Sequence, residues 1–195
     1  MGNPFADTAY IDHDFYVMND SGSEIIAAER DYVNPMEGIF VKAEGEYDDT
    51  MIFSLQAPCK GQSSKPKHEQ IVINLSRDRG PSTGSGTTII DRAIVRMGEG
   101  QTQPKFQINR NSTKLYIPQG GTDYAIITSN GQGELPLNFK AETDGTYTLS
   151  FNAEEVSFSY LHLIDNLTGA DVDLLPLLRE QGGSLDRKSG SAGMP

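Results

Sequence analysis

Residues 145–175, GTYTLSFNAEEVSFSYLHLIDNLTGADVDLL, constrain the fold most, because apolar and polar side chains alternate along them with a period of two. Tyr147, Leu149 and Phe151 fall on one face of a first strand, and Val156, Phe158, Tyr160, His162 and Ile164 on one face of a second. Ribbons that are apolar on one face need another layer of structure to cover that face. AsnLeuThrGly at 166–169 is turn-forming, and residues 171–175 supply one more short strand.

The rest of the chain carries the same signature. Strand-sized runs occur at 15–18, 24–27, 39–43, 51–55, 70–76 and 89–97, separated by turn-rich segments such as AsnAspSerGly and GluGlyGlu. After residue 114 the runs tighten to 115–117, 124–128, 134–141, 146–151, 156–164 and 171–175, the density of an immunoglobulin-like sandwich. With 20 glycines and 10 prolines spread between Val, Ile, Tyr, Phe and Thr, the composition suits many short strands rather than a helical bundle. The expected fold is all-β, built of two antiparallel β-sandwich modules. Residues 1–110 form an acidic, jelly-roll-like module. Residues 111–176 form an immunoglobulin-like module lacking its last strand, and residues 177–195 are read as a disordered tail. GlyProSerThrGlySerGly at 80–86 resembles a linker, but the apolar run behind it belongs to the same module, which puts the boundary near 110.

Charge and length exclude several function classes. No window reaches the roughly 18 apolar residues of a membrane span, and GlyAsnProPheAla after Met1 is neither a signal peptide nor a myristoylation site, so the start reads as internal. Residues 1–55 hold twelve acids against Arg30 and Lys42, and the whole chain has a net charge of -11. Residues 56–110 are basic but lack clustered aromatics to stack on bases, so nucleic acid is not an expected partner. The single cysteine, Cys59, forms no internal disulfide and lies in a polar loop with no base motif beside it.

Each cluster with chemical potential has a plainer structural explanation. Asp12, His13 and Asp14, and the carboxylates of Glu44, Glu46, Asp48 and Asp49, lack the ordered spacing of a calcium loop and read as solvated turns. Asp165, Asp171 and Asp173 flank a turn in which Asp and Asn bond their own backbone. The glycines at 80–86 lack the Lys-Ser/Thr of a phosphate loop. Twenty-seven acids make a carboxylate pair inevitable somewhere without marking any one as a glycosidase pair. No catalytic residue, metal ligand or cofactor is expected. Tyr10, Tyr16, Tyr32 and Tyr47 cluster in the acidic module, and Tyr32 and Tyr47 are the candidate glycan contacts.

GlyAsnProPhe at 2–5, AsnProMetGluGlyIlePheValLysAla at 34–43, IleAspArgAlaIleValArgMetGlyGluGly at 90–100, LysLeuTyrIlePro at 114–118, AspTyrAlaIle at 123–126 and LeuHisLeuIleAspAsnLeuThrGlyAlaAspValAspLeuLeu at 161–175 carry a resemblance. Together they resemble the C-terminal β-sandwich region of large secreted and outer-surface proteins of Bacteroidetes bacteria, similar to modules adjoining type IX secretion sorting domains. The resemblance implies an extracellular or cell-surface location, no catalytic motif, and partnership with the rest of a larger surface protein, with glycan or with cell-envelope components. AspThrAla at 7–9 and AspThrMet at 49–51 resemble the O-glycosylation signal of such proteins, which implicates Thr8 and Thr50. Family members continue past residue 175 with one more aromatic strand, absent here, so the chain reads as truncated. A missing strand with three inward side chains forfeits roughly 5–8 kcal/mol of burial, at about 1.5–3 each. It also leaves an open edge that favours strand-exchange self-association.

Overall fold

The computed structural model describes residues 9–11, 14–30, 32–34, 36–42, 53–55, 68–78, 87–179 and 184–188. In chain order these form β1 (Ala9–Ile11), β2 (Tyr16–Met18), β3 (Ile25–Ala27), β4 (Tyr32–Val33), β5 (Ile39–Phe40) and β6 (Phe53–Leu55). The long strands β7 (Gln70–Asp78) and β8 (Thr87–Met97) follow, then β9 (Gln103–Pro104), β10 (Lys114–Gln119), β11 (Thr122–Ser129), β12 (Asn138–Lys140) and β13 (Thr146–Glu154). The chain continues through β14 (His162–Ile164), β15 (Asp171–Asp173), the five-residue helix α1 (Leu175–Arg179) and β16 (Ser184–Lys188). The class is all-β.

One large sheet organises the molecule, with strand order β12-β10-β11-β8-β7-β13-β16 and β9 also pairing β11. The β10–β11 hairpin closes at Gln119 and Thr122. Gly120 and Gly121 between them both have positive φ, 58° and 84°, which a two-residue hairpin of the favoured twist requires. The sheet is mixed rather than purely antiparallel: β11 runs parallel to β8, with Ile126 opposite Ile94 and Ile127 opposite Val95. A parallel neighbour needs a long crossover, and residues 98–121, carrying β9 and β10, provide it.

Strands on either side of residue 110 share this sheet. β7 pairs with β13 from Tyr147↔Arg77 through Glu154↔Gln70, and β8 pairs with β11, so the expected boundary at 110 does not separate two sheets. Strand runs are visible locally, but which runs pair is decided by contacts distant in sequence.

Period two on β7, β8 and β13 sorts the two faces. Ile71, Ile73, Leu75, Ala93, Val95, Leu115, Ile117, Ile127, Tyr147, Leu149 and Phe151 form the larger core, so the alternation at 147, 149 and 151 lies where the pattern put it. That face is covered by the C-terminal segment, through Val156, Phe158, Leu161, Leu163, Val172, Leu174, Leu177 and Leu178. The opposite face meets a three-stranded sheet, β3-β2-β5, through Tyr16, Ile25 and Ala27 against Ile94, Ala125 and Ile126. β4-β1-β6 forms a further small sheet.

The expected strand 156–164 is shorter than its pattern. Glu155 adopts a positive φ of 51° and ends β13, and pairing resumes only at His162. Val156 and Phe158 pack on the core, but beyond the break Leu161 and Leu163 do so instead, leaving Tyr160 and Ile164 exposed. A one-residue change of phase flips every later side chain.

Two elements lie wholly or partly in the segment read as a tail. α1 extends to Arg179, and β16 pairs antiparallel with β13 from Thr146↔Lys188 to Ser150↔Ser184. Five backbone positions of β13 that the truncated pattern left without a neighbour are therefore filled from within residues 177–195. Ladder hydrogen bonds do not depend on side chains, so the mostly polar SerLeuAspArgLys can complete a sheet edge.

Candidate functional site

The AspArgAlaIleValArg stretch of β8 places three charges in a central strand that is buried on both faces. Ile94 and Arg92 share one face with Arg96, while Asp91 shares the other with Ala93 and Val95. An ion in such a place persists only if paired and hydrogen-bonded.

On the face toward the small sheet, the Arg92 guanidinium spans the layers. Its Nε donates to Asn74 Oδ1 at 2.7 Å, one amine donates to the Ala27 carbonyl at 3.2 Å, and the other pairs with Glu29 at 3.2 Å. Burial pulls the Arg92 pKa down, and the Glu29 carboxylate opposes that pull. Arg96 pairs with Asp14 at 2.5 Å. Gln70 Nε2 donates to the Glu29 carbonyl at 3.1 Å and to Glu154 at 2.7 Å. These bonds fasten β2–β3 and the segments beside them onto β7, β8 and β13.

On the other face a second polar knot forms where β8, β9 and β10 converge. A β-bulge on β8 skips Ile90, so that Leu75 faces Asp91 and Ser76 faces Ile89. The Asp91 carboxylate accepts from the Arg92 backbone N–H at 2.8 Å and the Leu115 N–H at 2.7 Å. Lys105, just past β9, bonds Asp91 Oδ1 and donates to the Arg92 carbonyl at 3.1 Å. The side chains of Lys105 and Asp91 are each 4 % exposed. Burial lowers the Lys105 pKa, against the opposing pull of Asp91. The Glu24 carboxyl lies near the pair: burial raises its pKa, a Ser112 hydrogen bond lowers it, and the Asp91 charge raises it further.

Of the residues singled out in the sequence, Thr8, Thr50 and Tyr47 lie outside the described residues, as do Asp12, His13, Cys59 and residues 44–49. Tyr32 is half-buried on β4 with the Arg30 guanidinium 5.0 Å over its ring. Arg30 also bonds the Tyr32 carbonyl and Glu37, so this aromatic face is part of a structural corner. Tyr16 is buried in the core between the sheets. Asp165 serves its own turn, accepting from the Leu167 N–H at 3.1 Å and from the Thr168 hydroxyl. Among the described residues no group of three or more His, Cys, Asp or Glu could hold a metal ion. Nor is any helix there long and apolar enough to cross a membrane.

Two features escaped the sequence. Tyr160 stacks on His162 at 4.3 Å and 15°, with His162 Nδ1 2.7 Å from Asp171, which makes an outward-facing aromatic pair on the β14–β15 hairpin. Asp91 and Lys105 lie fourteen residues apart. Asp91 was visible as an acid inside an apolar strand, but nothing in the spacing marked Lys105 as its partner.

The Arg30–Glu37 corner gives a pH prediction. Burial pushes the Glu37 carboxyl up, but hydrogen bonds from Arg30 and from the Asn34 N–H at 2.9 Å outweigh it and hold it below the usual carboxylate range. A carboxyl depressed on folding contributes stability above its unfolded pKa of about 4.3, and loses it as pH falls through the folded value. Protection of the Asn34 amide, its exchange rate taken relative to the intrinsic rate at each pH, is expected to fall below about pH 4 in the native chain, and to be low and unchanged through that range in Glu37→Gln.

No protein-family model, curated protein or solved structure matches this chain.

Proposed function

We propose that this chain is a non-catalytic structural module of a larger extracellular or cell-surface protein, presenting or anchoring that protein's other parts. The supporting observation is how the buried charges are spent. Arg92, Arg96 and Lys105 each pair with an acid from another segment, which is chemistry used to hold layers together. In the finer form of this proposal the layers are two β-sandwich units, the C-terminal one immunoglobulin-like, and the acidic N-terminal segment keeps the surface soluble. Antibody labelling of intact cells producing the parent protein tests the location. Surface signal lost on mild protease treatment is expected, and a purely cytosolic protein would refute the proposal.

A second reading, a glycan-binding accessory module of a surface hydrolase, draws support from the Tyr160–His162 pair. Tyr160 is 69 % exposed, and a ring stacked on an imidazole that Asp171 holds suits the apolar face of a sugar. On this reading, saturable binding on a glycan array falls at least tenfold in Tyr160→Ala. A loss confined to Tyr32→Ala or Tyr47→Ala would return the contact to the acidic segment, and no binding by the native chain would leave the structural reading alone.

A further inference from the structure

We propose that Lys105 and Asp91 condense to form an intramolecular amide, a covalent tie between β8 and the segment that follows β9. The geometry supplies what the reaction needs. The Lys105 Nζ is held against the Asp91 carboxyl and oriented by the Arg92 carbonyl at 3.1 Å. The carboxyl oxygens face two backbone donors, Arg92 N–H at 2.8 Å and Leu115 N–H at 2.7 Å. Those donors also stabilise the oxygen on which charge develops when the amine adds to Cγ. Holding the partners together in a site with almost no solvent turns a bimolecular condensation into a unimolecular one.

The step balances without an outside reactant. Proton transfer from the ammonium to the carboxylate gives a neutral amine and a carboxylic acid. The nitrogen lone pair forms the C–N bond to Asp91 Cγ, one C–O bond breaks, and the departing oxygen leaves as water with one hydrogen from the acid and one from the amine. That last proton passes from nitrogen to the leaving oxygen as the C–O bond breaks. Burial favours a neutral Lys105, as a nucleophilic lysine requires. A neutral amide also removes the desolvation cost of two buried ions.

The test is the intact mass of the purified full chain after complete denaturation, followed by tryptic mapping. The expected mass is lower than that of the sequence by one water, with residues 80–92 joined to residues 97–110 in a branched peptide uncleaved after Lys105. Lys105→Arg is expected at full mass. A native chain that remains at full mass after prolonged incubation at neutral pH overturns the proposal. So does a water loss that maps elsewhere, for instance to a cyclic imide at Asp144–Gly145.

Discussion

Asp91→Ala is expected to lower the stability of this chain by about 3–5 kcal/mol relative to the native chain before its Lys105–Asp91 amide forms, the cost of leaving one member of a buried ion pair alone. The substitution strands Lys105, whose side chain is 4 % exposed, together with the backbone N–H of Leu115. That amount is comparable to the whole stability of a modest domain, about 5–15 kcal/mol, so a large unfolded fraction is expected at room temperature. Urea titration followed by circular dichroism measures it. The double variant Asp91→Ala/Lys105→Met is expected to recover part of the loss, because it removes the unpaired ammonium. The single variant also has a signed pH dependence. Burial already lowers the Lys105 pKa, and without Asp91 the opposing pull is gone. The folded state then binds fewer protons than the unfolded state, so stability rises with pH and the deficit narrows from pH 7 toward 10. A deficit that grows over that range would contradict a buried, unpaired lysine.

Ile94→Ala is expected to cost about 2–5 kcal/mol and to unfold the described layers in one transition. Ile94 is fully buried on β8, a central strand of the large sheet, and packs against Tyr16, Ile25 and Ala27 of the small one. It is also opposite Val72 on one side and Ile126 on the other. A cavity there loosens β7, β11 and the small sheet together. Tyrosine fluorescence and far-UV circular dichroism should give coincident urea midpoints, both shifted. Two separated transitions, with one unchanged by the substitution, would show that the segments before and after residue 110 unfold as separate units.

How far the sequence could be read varies from element to element. β7, β8, β10, β11 and β13 were legible as strand-sized runs rich in β-branched and aromatic residues, and Tyr147, Leu149 and Phe151 lie in the core as their spacing requires. The phase change between Phe158 and Leu161 was not legible, since period two predicts faces only along a regular strand, and none spans the residues between β13 and β14. β16 was missed because a ladder recruits backbone rather than side chains, and SerLeuAspArgLys looks like solvent-exposed tail. Arg92 and Arg96 could have been suspected, because charges at positions otherwise sharing a face with Ile94 demand partners. Asp14, Glu29 and Lys105, which answer them and Asp91, come from remote segments.

The sequence alone determined that this chain is β-rich and where most strands run, because backbone pleating imposes its period directly on neighbouring residues. Which strands are adjacent, that β8 and β11 run parallel across residue 110, and that Lys105 meets Asp91 were decided by tertiary structure. Those outcomes depend on burying both faces of one sheet and neutralising each charge trapped there, and these conditions apply to residues that approach one another only after the chain has folded.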